Sequence, residues 1–536
     1  MIAALNLNHL PELSCLATLL ALTPAVIAAA ASVTIRRASV AGSWRVARGA
    51  TAIMAAAVVA IVATRIASGP HANGLVRIDN VTVIVLLLIA LVGAVVVRYS
   101  SVYLGGDTNE RGYVRRLLAT LAAVSVVVVA NHMLLLVAAW AATSIAMHGL
   151  LTFFGDRPVA VAVAHKKFLL ARVADACMLG ATVAFGTTLS TLRIDAIVDG
   201  AISRSTLPSG ARVGILLVAI AVVLKCAQLP FHGWLIQVME APTPVSALLH
   251  AGVVNLGGVV LLRFAPLVDQ AIETRILLVI FGLTTAIVAS LVMTTRVSVK
   301  VSLAWSTCAQ MGFMLMQCGL GVWEMALLHL MAHSVYKAHA FLSAGGTVRQ
   351  TQRRQLANAA VAPSLTSLAI GVTVAIFGTA AVGMLWTLVP RTASLTATTW
   401  VLLGVVALAL LPLSTPFRSR SYGSLVIQAL TMPLAYLALH DVAGRMVPHA
   451  NAAPSALLAV AALGFAVLFA ARVVCVVAPR GRLTQRMLPW IYAGLFLDET
   501  FTRLAFSVSR PPATTSRPVP LPQRPFVVAF SDRINT

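Results

Sequence analysis

The chain has 536 residues, of which 59% are hydrophobic and only 10% charged, with a mean hydropathy of +0.93. Soluble domains carry about 25% charged residues, so a compact water-soluble globule is excluded. The net charge of +23, from 39 basic and 16 acidic residues, acts on topology in a membrane protein rather than on nucleic acid.

Apolar runs of about 20 residues mark the membrane passes. They fall near 12–35, 50–67, 78–98, 114–130, 133–154, 168–190, 212–228, 242–262, 276–294, 302–320, 325–346, 366–388, 399–415, 423–440 and 454–477. The first run lacks a basic leader and is too long for a signal-peptide core, so it reads as a retained span. The expected fold is an all-α polytopic membrane protein of about 14–15 transmembrane helices. Cys15, Cys177, Cys226, Cys308, Cys318 and Cys475 lie in or beside these runs without C-x-x-C spacing. No metal site, disulfide framework or cofactor is therefore expected in this chain. Alternate loops differ in charge. The set 36–49, 98–116, 155–167, 295–300, 347–356 and 418–420 holds eighteen Lys and Arg, the other set nine. The positive-inside rule then puts the first set, and the C-terminus with it, in the cytoplasm of a bacterial inner-membrane protein.

A charge inside the bilayer costs about 2.5–3.5 kcal/mol on insertion, so each one needs a reason. Only five basic residues are lysines: Lys166, Lys167, Lys225, Lys300 and Lys337. A desolvated ammonium can release its proton, whereas a guanidinium cannot. Lys225 closes one apolar run and Lys337 lies within another, which marks both as proton-exchange sites; the alternative is snorkelling from a helix end. Pro230, five residues after Lys225, predicts a broken helix, with His232 and Trp234 following. His329, His333 and Lys337 recur every four residues. At about 100° per residue they drift by about 40° per step and share one helix face, as a proton relay requires. His250 sits in the run after Pro244 as a candidate link between the lysines. Asp175 is the one carboxylate well inside a span, with Arg172 three residues earlier as a local ion-pair partner. Glu240 and Glu324 stand at helix starts, where a carboxylate suits the helix dipole.

The segments running from His165 to Asp175, Lys225 to Leu235, Glu240 to His250, Ala304 to Gly312 and His329 to Ala338 resemble the antiporter-like membrane subunits. That superfamily includes the pump subunits of respiratory NADH:quinone oxidoreductase and the Mrp sodium/proton antiporters. The resemblance implies inverted repeats with discontinuous helices: N-terminal helices in 1–112, a first repeat in 113–262, a second, degenerate repeat in 263–420, further helices in 421–478, and a cytoplasmic amphipathic segment with a Pro/Arg-rich tail in 479–536. It also implies a proton path through Lys225, His250, His329, His333 and Lys337; Asp175 joins that path by its depth in a span, and Lys300, Glu240, His148, His232 and Pro230 are supporting candidates. Two departures stand out. The glutamate that follows the fifth-helix tryptophan in relatives is absent, since Ala141 follows Trp140, leaving His148 or Asp175 as substitutes. No lysine follows Lys337, where the family's second broken helix carries one.

Trp490–Leu504 is aromatic and amphipathic and is similar to the ending of the DabB branch, the membrane subunits of inorganic-carbon accumulation complexes. That likeness implies a cation-conducting, non-enzymatic subunit whose ion influx drives conversion of carbon dioxide to bicarbonate by a soluble DabA-like partner. The partner is expected to be a zinc protein resembling a β-carbonic anhydrase, docked in part through Trp490, Tyr492, Phe496 and Phe501. A respiratory proton pump and a Na⁺/H⁺ antiporter component are the competing readings, and H⁺ and Na⁺ both remain open as the ion.

Overall fold

A computed structural model of the chain describes residues 11–238, 241–346, 365–389, 395–414, 422–447 and 453–509. Long apolar helices dominate it, because lipid offers no hydrogen bonds to an open backbone. The first are α1 (Pro11–Thr34), α2 (Val40–Ser68), α3 (Asn80–Tyr103), α4 (Glu110–Val129), α5 (Met133–Leu151) and α6 (Pro158–Leu189). After the short surface helix α7 (Ile194–Ile202) come α8 (Ser209–Lys225), α9 (Gly233–Gln237), α10 (Thr243–Ala251), α11 (Leu256–Arg263) and α12 (Ala265–Gln270). Then follow α13 (Ile272–Met293), α14 (Val299–Leu320) and α15 (Trp323–Leu342). The remaining long helices are Leu365–Thr387, Ala397–Ser414, Tyr422–Gly444 and Ser455–Val477.

Among the described residues eleven stretches are long and apolar enough to cross a membrane. Four further helices, α8, α14, α15 and Ala397–Ser414, pack among them, at the positions of the remaining apolar runs. The span at 242–262 is interrupted: its two half-helices, α10 and α11, part at Gly252–Asn255. The amphipathic segment near 490–504 falls on two helices, Arg482–Tyr492 and Leu497–Val508. They turn at Gly494–Phe496, where Leu495 and Phe496 adopt left-handed backbone.

Small residues set the tightest helix contact. A Cβ on Gly282 would meet the Gly312 carbonyl oxygen at 2.5 Å, and one on Gly312 would meet that of Gly282 at 2.5 Å, so α13 and α14 touch backbone to backbone.

On the face of the arginine-poor loops an ionic clamp fixes the second half of the α10–α11 break. Asp79 caps α3, accepting from the Thr82 backbone N–H at 2.8 Å. Buried Arg263, the last residue of α11, donates to Asp79 (2.6 Å), to Thr82 Oγ1 (2.5 Å) and to the Val128 carbonyl (2.6 Å). Burial alone would raise the Asp79 carboxyl, but Arg263, Arg77 and the Thr82 hydrogen bonds outweigh it and hold the pKa at about 2. A carboxylate depressed in the folded state stabilises it fully above the ordinary value of 3.8 and loses that contribution as pH falls through 2. Asp79→Ala leaves a buried guanidinium uncompensated and should cost about 3–5 kcal/mol in detergent. Thermal unfolding should show this deficit unchanged between pH 5 and 8; a variant as stable as the parent removes the clamp.

Candidate functional site

α8 ends at Lys225 because Pro230 cannot continue the hydrogen-bond ladder. The chain crosses residues 226–232 without helix, through Ala227 at φ 50° and a cis Leu229–Pro230 bond, and resumes as α9. Lys225 turns to α5, where its ammonium donates to the Trp140 carbonyl at 2.9 Å and to Thr143 Oγ1 at 2.8 Å, over the Trp140 ring at 3.7 Å. The Thr143 hydroxyl itself donates to the same carbonyl at 2.7 Å.

Lys337, fully buried on α15, repeats this arrangement on α14. It donates to the Leu303 carbonyl at 2.9 Å and bonds Ser306 Oγ, whose hydroxyl donates to Leu303 at 3.0 Å. In both places a carbonyl at i and a hydroxyl at i+3 of a neighbouring helix solvate a lysine without a direct carboxylate.

The histidines gather around the second lysine. His250 is wholly buried and stacks on Phe341 with ring centroids 4.4 Å apart. His333 is buried, and His329 lies 6.0 Å from it, centroid to centroid. Neither ring nitrogen of His250 or of His333 has a hydrogen-bond partner among the described residues. Buried imidazole nitrogens left open in this way are suited to passing a proton along a row. His250 lies within electrostatic reach of Lys337 and of His333, so it groups with the second lysine rather than midway between the two. His339, outside the expected relay, is exposed.

Around Lys225 the structure separates the candidates. Asp175 pairs with Arg172 at 2.7 Å and lies within electrostatic reach of Lys225 and Lys167. His148 instead rests on Phe168, 5.5 Å between centroids, near Lys167. Of the two candidates for the missing glutamate's place, Asp175 is the one within electrostatic reach of Lys225. His232 lies against Trp305 at 4.9 Å, and its Nδ1 approaches the Pro230 carbonyl at 3.3 Å. Lys300 donates to Thr243 Oγ1, 2.8 Å, at the start of α10. Glu240 lies outside the described residues.

Four contributors escaped the sequence reading. Lys167 is buried and donates to the Ser144 carbonyl at 3.0 Å, one turn along α5 from the Lys225 site. Its signal is a lysine in a chain that otherwise uses arginine, standing just before the apolar run at 168–190. Asn255, at the α10–α11 break, donates to Ser334 on α15 at 2.6 Å. A lone amide within an apolar run was the clue. Thr143 and Ser306 carried no clue, since helix hydroxyls commonly bond their own backbone.

The C-terminal segment packs over the α8–α9 break. Asp498 accepts from Lys166 at 2.7 Å and from Gln237 at 2.6 Å, and Phe501 meets Phe231 edge-on at 5.5 Å. A Cβ on Gly233 would collide with the Asp498 carboxylate, so glycine is what admits it. Phe501 therefore faces its own chain, whereas Trp490, Tyr492 and Phe496 are exposed.

Residues 130–415, more than half of the chain, match the NADH:quinone oxidoreductase/Mrp antiporter transmembrane family, and the chain belongs to that family. Over 291 residues it is 50% identical to the probable inorganic carbon transporter subunit DabB of Hydrogenovibrio crunogenus, covering 54% of this chain and 56% of that protein. It is 44% identical over 270 residues to subunit DabB2 of Halothiobacillus neapolitanus, 50% and 49% of the two chains. NADH-quinone oxidoreductase subunit L of Mycobacterium tuberculosis is 34% identical over 285 residues, 52% and 44%. The chain thus spans about half the length of the curated relatives it matches. The fold is shared with the Mrp complex from Dietzia sp. DQ12-45-1b, with a TM-score of 0.62 at 23% identity over 92% of this chain and 59% of that one.

Thr143→Val removes one of the two acceptors of Lys225 and should cost about 1–3 kcal/mol of stability, while Thr143→Ser keeps it. Thermal unfolding in detergent of both variants checks this; equal stability of the Val variant would mean that the hydroxyl does not solvate the ammonium.

Proposed function

We propose that this chain is the cation-conducting membrane subunit of an inorganic-carbon transport complex, with the proton as the ion carried. The observation that carries the proposal is the pair of lysines, Lys225 and Lys337, buried in matching carbonyl–hydroxyl settings, the second joined by a row of histidines. A buried amine held by neutral acceptors alone can give up its proton without leaving an unpaired carboxylate behind. The likeness to DabB subunits supports the inorganic-carbon assignment. In this reading Asp175 takes the place of the missing glutamate, and Lys300 stands at the entry beside Thr243.

The chemistry on carbon dioxide belongs, in this reading, to a soluble zinc protein resembling a β-carbonic anhydrase. That partner docks on the face of the arginine-rich loops, which is cytoplasmic in a bacterial inner membrane. The C-terminal helices lie on that face, held by Lys166–Asp498 and by Arg296, which donates to the Tyr492 carbonyl at 2.8 Å. Trp490 and Phe496 meet edge-on at 5.7 Å and, with Tyr492, present exposed rings of the kind that anchor protein interfaces.

Lys225→Arg keeps the charge but fixes the proton, so it should fail in a bicarbonate-dependent growth rescue as fully as Lys225→Ala. Rescue by the Arg variant at normal expression would overturn proton exchange at this site. Replacing Trp490, Tyr492 and Phe496 together by Ala should release the soluble partner in a detergent pull-down, leaving the membrane subunit inserted. Capture of a redox module in place of a zinc protein would favour the respiratory reading.

A further inference from the structure

The histidine row needs an opening on the far side of the membrane, and no lysine follows Lys337 to make one. A cavity of about 450 Å³ lies beside its last member. It is lined by His329, Gln310, Gln317, Tyr436 and Arg472 together with apolar side chains of α13, α15, Ala397–Ser414 and Ser455–Val477. Three residues of its lining carry a buried polar atom with no hydrogen-bond partner among the described residues: His329 Nε2, Gln317 Oε1 and the Tyr436 hydroxyl. The lining is mostly apolar, and these three side chains are among the polar positions set into it, where a buried group without a partner calls for one.

Tyr436 leads onward. It stacks on His440, one turn further along the same helix, at 6.4 Å between centroids, and lies within electrostatic reach of Glu324. His440 Nδ1 is 3.4 Å from the Glu324 carboxylate, and the two side chains remain 24% and 15% exposed. Glu324 opens α15 just after the turn that ends α14, on the arginine-poor face, and His329 lies about 7.5 Å deeper along the helix axis. A carboxylate, an imidazole and a phenol thus follow one another from that face to the end of the histidine row. A carboxyl, an imidazole and a phenol hydroxyl are side chains that can each pass a proton through a hydrogen bond.

We propose that Glu324, His440 and Tyr436 form the mouth of the second half-channel, through which protons pass between the arginine-poor face and His329. This replaces the lysine that relatives carry on their second broken helix. The inference rests on the proton-conducting reading above, and its test separates the two.

The test uses the chain in its complex, reconstituted into vesicles, with proton entry driven by a potassium diffusion potential and read by a pH-sensitive dye. Glu324→Gln and Tyr436→Phe should each lower flux at least tenfold with unchanged insertion and unchanged melting temperature. Glu324→Asp should retain most of the flux, because it keeps a proton-exchanging group at the mouth. His339→Ala, on an exposed face, should leave flux as in the parent. If Glu324→Gln and Tyr436→Phe conduct normally while His333→Ala does not, the mouth is elsewhere and the proton row stands. If His333→Ala also conducts normally, both readings fail. If Glu324→Gln loses flux only in step with a lowered melting temperature and Glu324→Asp gives no rescue, the Glu324–His440 pair is a brace between helices and the proposed mouth is overturned.

Discussion

An ammonium inside a bilayer must find hydrogen-bond acceptors in the protein, and this requirement shapes the middle of the molecule. Lys225 and Lys337 meet it in the same way, through a helix carbonyl and the hydroxyl three residues later. Neutral acceptors hold a proton less firmly than a carboxylate does, so the solution that tolerates the charge also leaves it exchangeable. The helix breaks serve the same end. Ending α8 at Lys225 frees the side chain to reach α5, and parting α10 from α11 sets Asn255 against Ser334. Interruptions that would be faults in a purely structural span become the places where polar groups meet.

Rigidity is supplied at the two faces. Arg263, tied to Asp79, Thr82 and the Val128 carbonyl, fixes the end of α11 on one side. On the other side Asp498, held by Lys166 and Gln237, lays the C-terminal helices across the α8–α9 break. A protein bound to the exposed rings beside that contact would press on the segment that carries Pro230 and His232. In the proposed reading such a partner would act on the Lys225 site over a short distance, because the Asp498 contact lies a few residues from the break.

The two halves differ in how carboxylates enter. Near Lys225, Asp175 is shared with Arg172 and Lys167, so one acid serves a cluster of bases. Near Lys337 the described neighbours are imidazoles, a thiol and hydroxyls, and the next acid outward is Glu324. A row with few fixed negative charges suits transient protonation, since each step moves one charge between groups of similar kind.

The sequence by itself determined the class, marked the long apolar helices and singled out the lysines and histidines within them. Apolar length is fixed by bilayer thickness, and a lysine within such a run is costly enough to announce itself. The spacing of His329, His333 and Lys337 follows from helix geometry alone, and Pro230 marks its own break. What only the tertiary structure decided are the partners across helices. Asp175 rather than His148 lies within electrostatic reach of Lys225, Lys167 is drawn into the same cluster, His250 groups with Lys337, and Phe501 turns inward. The break at Gly252–Asn255 and the turn at Leu495–Phe496 likewise escaped hydropathy, which averages over a window and does not register a change of backbone direction. Periodicity reports which residues share a face of one helix. Which face of another helix they meet is set by packing, where contacts such as Gly282 against Gly312 fix how closely two helices approach.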